Sequence, residues 1–296
     1  MGDLLLLRHA IVALRTAGHR VRLLAPSAPA AALLGAGAGQ VEEVLPWEGR
    51  ETAALLAGDP PPGSLGAALA AAEVVLAFTR SEPLLAALRA HAPRVVAHDP
   101  APSPEGPHAS LWLARALEAV GLAADAPPPV LAWSEADYED AAERTRGLPP
   151  GFVAVHPGSG SPTKNWAIDR FAAVVRRLAA GQSWLLVLGP AEARVSDLES
   201  SLVARNWPMR TLGAARARAG LFLGNDSGAS HLAAASGAPT LALFGPTDPA
   251  LWAPVGPSVA TLRAPRGILA DLTVDEVEPV ARRLRATSAA SAPPSG

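Results

Sequence analysis

Two short stretches of this chain carry residues whose types and spacing suit chemistry. The first, HPGSGSPTKNW at 156–166, directly follows an apolar run. Gly158 and Gly160 let backbone amides approach an anion, Ser159 and Ser161 offer hydroxyls, and Lys164 supplies a positive charge, which together make a phosphate cradle. The second is GNDSG at 224–228, followed by an Ala-rich helical stretch with one histidine, His231. Ser227 and Gly228 would open that helix, whose first N–H groups have no partner within the helix and attract anions. Taken singly, each loop also reads as a plain turn, Asp226 or Ser227 as a helix N-cap, and His231 as a core histidine. Taken together, they could clamp a diphosphate from two sides. Neither is the Gly-x-x-x-x-Gly-Lys-Ser/Thr loop nor the Gly-x-Gly-x-x-Gly fingerprint.

Positioning such loops requires strands that end just before them. Apolar runs at 152–156, 184–188, 221–223 and 240–244 read as buried strands, with helices expected at 168–179 and 192–205 and after Gly228. In the first half, strands are expected at 21–24, 73–78 and 94–98, with helices at 4–17, 84–91 and 110–120; Glu135–Arg146 should be another helix. Short apolar runs with helical spacers indicate parallel sheets covered by helices, and ligands of such sheets sit at the carboxyl ends of the strands. The pattern gives two α/β halves: 1–130, then 131–286, with a Ser/Ala/Pro tail at 287–296 expected to be disordered.

Composition narrows the partners. The 296 residues carry a net charge of −2, which gives no electrostatic case for nucleic acid. With no cysteine, disulfides, zinc–thiolate sites and thiol nucleophiles are excluded, and the seven histidines show no i, i+4 pair of a helical metal site. Leu4–Leu7, flanked by Asp3, Arg8 and His9, does not read as a secretion signal, and no stretch nears the roughly 20 apolar residues that span a bilayer. A cytoplasmic protein is expected.

The stretches VAVHPGSGSPTKNW, GNDSGASHLAAASGAPTLALFGPTDPALWAP and MGDLLLL resemble the heptosyltransferase-like glycosyltransferases of family 9, over nearly the whole chain. The resemblance implies a GT-B architecture: two Rossmann-like domains facing across a cleft, an acceptor domain at 1–130 and a nucleotide-sugar domain at 131–286. It implies inverting, metal-independent sugar transfer from a nucleotide-diphosphate donor, expected to be ADP-linked and heptose-like, to a glycan or lipid-linked acceptor. No cofactor is implied. Such an acceptor would bring the protein into peripheral contact with the inner face of the cytoplasmic membrane. By the same resemblance Ser159, Gly160 and Lys164 face the diphosphate; Asp226, Ser227, Gly228 and His231 hold the phosphates and sugar; Glu192 faces the nucleoside; and Asp3 is the general base. On its residues alone, Asp3 is also an ordinary helix N-cap.

Three features depart from the family pattern. The strand expected before the Gly-Asp turn has no counterpart ahead of Met1. The segment TLGAARARAGLFLGNDSG is short for the helix that the family carries between a strand near Thr211 and the strand leading into Asn225. Residues 27–110 show no acceptor motif, and His9 stands where the family often has proline. They leave a second reading: a degenerate member that binds a nucleotide or a partner without transferring sugar.

Overall fold

The structure, a computed structural model, describes residues 1–35, 40–124, 127–179, 181–189, 192 and 201–291. The chain divides into two compact units, Leu6–Pro128 and Met1–Leu5 with Pro129–Gly296. The first five residues thus group with the second unit rather than with the rest of 1–130.

The chain opens with α1 (Gly2–Leu6) and continues in the first unit with α2 (Arg8–Thr16), β1 (Arg22–Ala25), α3 (Ser27–Leu34), β2 (Glu43–Pro46), α4 (Arg50–Ala57) and α5 (Gly63–Ala71). It proceeds through β3 (Val75–Phe78), α6 (Glu82–His91), β4 (Val95–His98), α7 (Ala109–Ala114) and a 3-10 turn at Arg115–Val120. The expected helix at 4–17 is broken at Leu7, and 110–120 is part α-helix, part 3-10. The four strands form two separate parallel pairs, β1 with β2 and β3 with β4. Leu45, Leu55, Leu65, Leu69, Leu85 and Leu88 form the unit's core. Helix α6 shows how local chemistry fixes an end: the Ser81 hydroxyl accepts the Leu84 N–H, and Pro83 stands in the first turn, where a missing N–H costs nothing.

The second unit contains α8 (Glu135–Arg144), β5 (Val153–His156), α9 (Ile168–Ala179), β6 (Trp184–Leu188), β7 (Ser201–Arg205) and α10 (Met209–Ala217). These are followed by β8 (Leu221–Asn225), α11 (Gly228–Ala235), β9 (Thr240–Phe244), α12 (Pro249–Trp252), β10 (Val259–Arg263) and α13 (Val274–Ser291). The six strands make one parallel sheet in the order β10-β9-β8-β5-β6-β7. Three of the central strands, β6, β8 and β9, are buried along their whole length, as parallel strands covered on both faces must be. One face carries the main core: Val153, Val155, Leu221, Leu223, Leu241 and Leu243 pack with Phe171, Val174, Val175 and Leu178 of α9. Those α9 residues recur at the three- and four-residue spacing of one helical face. Each fully buried leucine or phenylalanine here contributes about 1.5–3 kcal/mol.

Three expectations are corrected. The helix expected at 192–205 is a strand over Ser201–Arg205, pairing along its length with β6; residues 193–200 lie outside the described residues. The strand expected near Thr211 is helix α10, in which Thr211 is buried. Helix α13 continues to Ser291, into the tail expected to be disordered; 292–296 lie outside the described residues.

At the amino ends of β5 and β8 the backbones approach so closely that a Cβ on Gly220 would stand 2.6 Å from the Gly151 carbonyl oxygen. Backbone cannot yield as a side chain does. Gly220→Ala should therefore cost about 1–3 kcal/mol, read as a lower urea midpoint at constant slope. An unchanged midpoint would show that this end of the ladder is not close-packed.

Candidate functional site

The carboxyl ends of β5, β6, β8 and β9 carry most of the residues singled out from the sequence. After His156 the chain enters the loop 157–164. The Ser159 hydroxyl donates to the Ser161 carbonyl (2.7 Å) and accepts the Ser161 N–H (3.2 Å), so it serves the loop's own shape. Gly160 is exposed, with open space where a Cβ would be. A 3-10 turn at Pro162–Lys164 then delivers Lys164, whose Nζ donates to Asp226 Oδ2 at 2.8 Å. The Thr247 hydroxyl donates to the same oxygen at 2.6 Å.

That arrangement resolves how α11 begins. Ser227 holds the extended N-cap backbone, but its hydroxyl makes no capping bond and is buried without a hydrogen-bond partner. Asp226 is not a cap: its carboxylate, on an 8% exposed residue, is turned to Lys164 and Thr247. The Ser230 and His231 amides bond the Ser227 carbonyl, which leaves the amides of Gly228 and Ala229 without an intrahelical acceptor. His231 is buried on the first turn.

Glu192 reaches the same strand ends from the β6 side. Its Oε2 accepts the Gly189 N–H at 2.8 Å. A Cβ on Gly158 would fall 2.0 Å from its Oε1, so a larger residue there would have to displace the carboxylate. Beneath, the His156 Nδ1 lies 2.9 Å from the Val187 carbonyl oxygen, and burial pushes the imidazole below its ordinary pKa. With Nδ1–H donated to that carbonyl, the ring is neutral near pH 7.

The chain's first residues belong to the same place. A Cβ on Gly2 would stand 3.4 Å from His231 Cδ2 and 3.8 Å from the Gly228 Cα; one on Gly228 would stand 3.0 Å from the Met1 Cβ. Asp3 follows directly, exposed in the first turn of α1. The structure thus gathers Lys164 with Asp226, Glu192 with the Gly158 loop, and Gly2 with Gly228 and His231.

Two residues of this site were not picked out from the sequence. Asn225 is fully buried; its Nδ2 donates to the Pro157 carbonyl (2.7 Å) and its Oδ1 accepts the Trp166 N–H (3.0 Å). Thr247 stands in GPTD, after the apolar run 240–244. A polar knot past a third strand end was the signal for it.

The sequence profile of glycosyltransferase family 9 (heptosyltransferase) matches residues 94–280. Lipopolysaccharide heptosyltransferase 3 of Escherichia coli is 32% identical over 119 residues, 36% of this chain; the match spans about a third (35%) of that relative's length. Among solved structures, a glycosyl transferase family 9 protein of Veillonella parvula superposes with a TM-score of 0.79 at 19% identity, covering 97% of this chain and 94% of the other. ADP-heptose LPS heptosyltransferase II of E. coli gives 0.75 at 18%, covering 97% and 96%. E. coli heptosyltransferase WaaC, solved with ADP, gives 0.71 at 19%, covering 96% of each chain. The fold is that of the GT-B glycosyltransferases.

Asn225→Ala would strand a buried N–H and a buried carbonyl, costing about 2–4 kcal/mol in urea unfolding. Asn225→Asp should not rescue it, because it keeps an acceptor for Trp166 but sets a carboxylate oxygen against the Pro157 carbonyl. Full stability in Asn225→Asp would refute the two-sided bridge.

Proposed function

The chain belongs to glycosyltransferase family 9, and on that premise we propose that it transfers a sugar from an ADP-linked, heptose-like donor to a glycan or lipid-linked acceptor, inverting the anomeric centre without a metal. The observation that carries this reading is Lys164 held by Asp226 at 2.8 Å, on neighbouring strand ends beside the N-terminus of α11. An ammonium has three hydrogens and Asp226 takes one, so two remain for phosphate oxygens. With the Gly228 and Ala229 amides, they suit the charge that grows on a leaving diphosphate. The Ser227 hydroxyl adds a buried donor with no other use.

In this reading Ser159 and Gly160 shape the diphosphate loop, Glu192 takes the ribose hydroxyls, and His231 closes the sugar side. Asp3, next to the glycine that lies against His231, removes the proton from the attacking hydroxyl. The unit 131–286 binds the donor, and the acceptor falls to residues of 1–130. The ADP preference follows the ADP seen with WaaC and the ADP-2-deoxy-2-fluoro heptose seen with the same E. coli enzyme. Among the described residues no helix is long and apolar enough to cross a membrane; we assign the protein to the cytoplasm, in peripheral contact with the membrane that carries its acceptor.

One observation favours the second reading, a member that binds nucleotide without transfer. Met1 and Gly2 lie against Gly228, on the helix end a diphosphate would need.

Calorimetric titration with ADP, UDP, GDP, dTDP and CMP tests the donor site. ADP should bind best, and Lys164→Ala should weaken it about 10–100-fold, the worth of one charge-assisted hydrogen bond. Asp3→Asn should keep ADP affinity within about twofold and lower transfer at least about 100-fold. Wild-type ADP binding with no transfer to any lipid-linked or soluble glycan would favour the second reading. Equal affinity of wild type and Lys164→Ala would sink the site.

A further inference from the structure

The Arg216 side chain makes no ion pair among the described residues. It points from α10 onto the sheet, is 2% exposed, and holds its guanidinium carbon 5.3 Å from the centre of the Phe222 ring. Its Nε and Nη1 are buried with no hydrogen-bond acceptor. Burial lowers its pKa to about 9, which leaves it charged near neutrality. A charge in such a place costs free energy that a methionine or leucine would not.

Its position is specific. Phe222 is the register partner of Ala154, and the next pair along the same sheet face is Gly224 with His156. A Cβ on Gly224 would lie 2.9 Å from the Phe222 ring, 2.9 Å from the Ser230 hydroxyl and 3.3 Å from the His156 carbonyl oxygen. The cation therefore sits beneath the two residues from which the 157–164 and 225–228 loops spring, and His156 feels its charge. Lys164 has a carboxylate partner in Asp226. Among the described residues Arg216 sets a further positive charge under these loops, one with no such partner.

We propose that Arg216 is a remote electrostatic residue for the donor site, a buried cation whose field favours the diphosphate group above it without touching it. This rests on the donor reading given above. Water screens it poorly, because the guanidinium is enclosed by Phe222 and the sheet. The fold accepts a stability cost to keep that charge there, in the way that sites holding a charged ligand do.

The test uses the whole chain as wild type, Arg216→Met and Arg216→Lys, titrated calorimetrically with ADP, inorganic pyrophosphate and adenosine, with thermal unfolding of each. Arg216→Met should raise the melting temperature, weaken ADP and pyrophosphate about tenfold, and leave adenosine within about twofold. Arg216→Lys should recover most of the ADP affinity. Arg216→Met that binds ADP like wild type overturns the proposal. So does Arg216→Met that melts earlier and loses adenosine in proportion, which would make the residue structural. Wild type that binds neither ADP nor pyrophosphate removes the donor reading itself, and this inference with it.

Discussion

The Asn225 carboxamide is the constraint on which the site depends. Parallel strands are held in register only as far as their ladder runs, and past their ends the loops are free. Asn225 closes β8 and is fully buried. By donating to Pro157 and accepting from Trp166, it carries the pairing of β5 and β8 one step beyond the ladder. It grips both ends of a Gly- and Ser-rich loop that would otherwise have much conformational freedom to lose. Trp166 is in turn seated in the core, its indole N–H on the Leu272 carbonyl and its ring edge-on to Phe171. Between those two anchors Lys164 has little choice of place, and Asp226, the next residue after Asn225, is where it arrives.

Charge then explains what the anchored loop is good for. The Lys164–Asp226 pair is partly buried, with the lysine side chain 29% exposed and the aspartate 9%. A pair of this kind contributes little net stability but holds the ammonium in one orientation. Thr247 bonds the same carboxylate oxygen, which leaves the other free of that network. The lysine is thus preorganised and not consumed: an anion can be added to its remaining hydrogens without breaking the pair. Preorganisation of this sort distinguishes the pair from a mobile surface ion pair.

Much of the second unit was legible from the sequence, and its limits have physical causes. The α9, β6 and β9 boundaries coincide with the runs 168–179, 184–188 and 240–244, because a buried strand must be continuously apolar and a covering helix must show one apolar face. Edge strands escaped. Ser201–Arg205 lies at one edge of the sheet and Val259–Arg263 at the other, half exposed, so neither needs an unbroken apolar run. β2 escaped for a similar reason, and helices α3 and α5 because Ala and Leu fill them without a polar stripe. In the site, residue types were readable but partners were not. That Glu192 rests on Gly158, or that Asn225 bridges Pro157 and Trp166, follows from the order β8-β5-β6, and no local pattern encodes strand order.

The glycines make the same distinction at finer grain. Gly158, Gly224 and Gly228 all lie in or beside the site, yet none adopts a positive φ. Their backbones would accept any residue; their surroundings differ in how far they can give. A Gly158 Cβ would meet the movable end of Glu192 and a Gly228 Cβ would crowd Met1, whereas a Gly224 Cβ would press on Phe222, Ser230 and the His156 carbonyl. At Gly224, glycine is required for approach, not for conformation. The groups that crowd Gly228 are the chain's own first two residues, which carry Asp3 behind them. Close packing of Gly2 on His231 and Gly228 therefore holds the start of α1 beside the N-terminus of α11, and a side chain at position 228 would press on Met1 and the Gly2 amide.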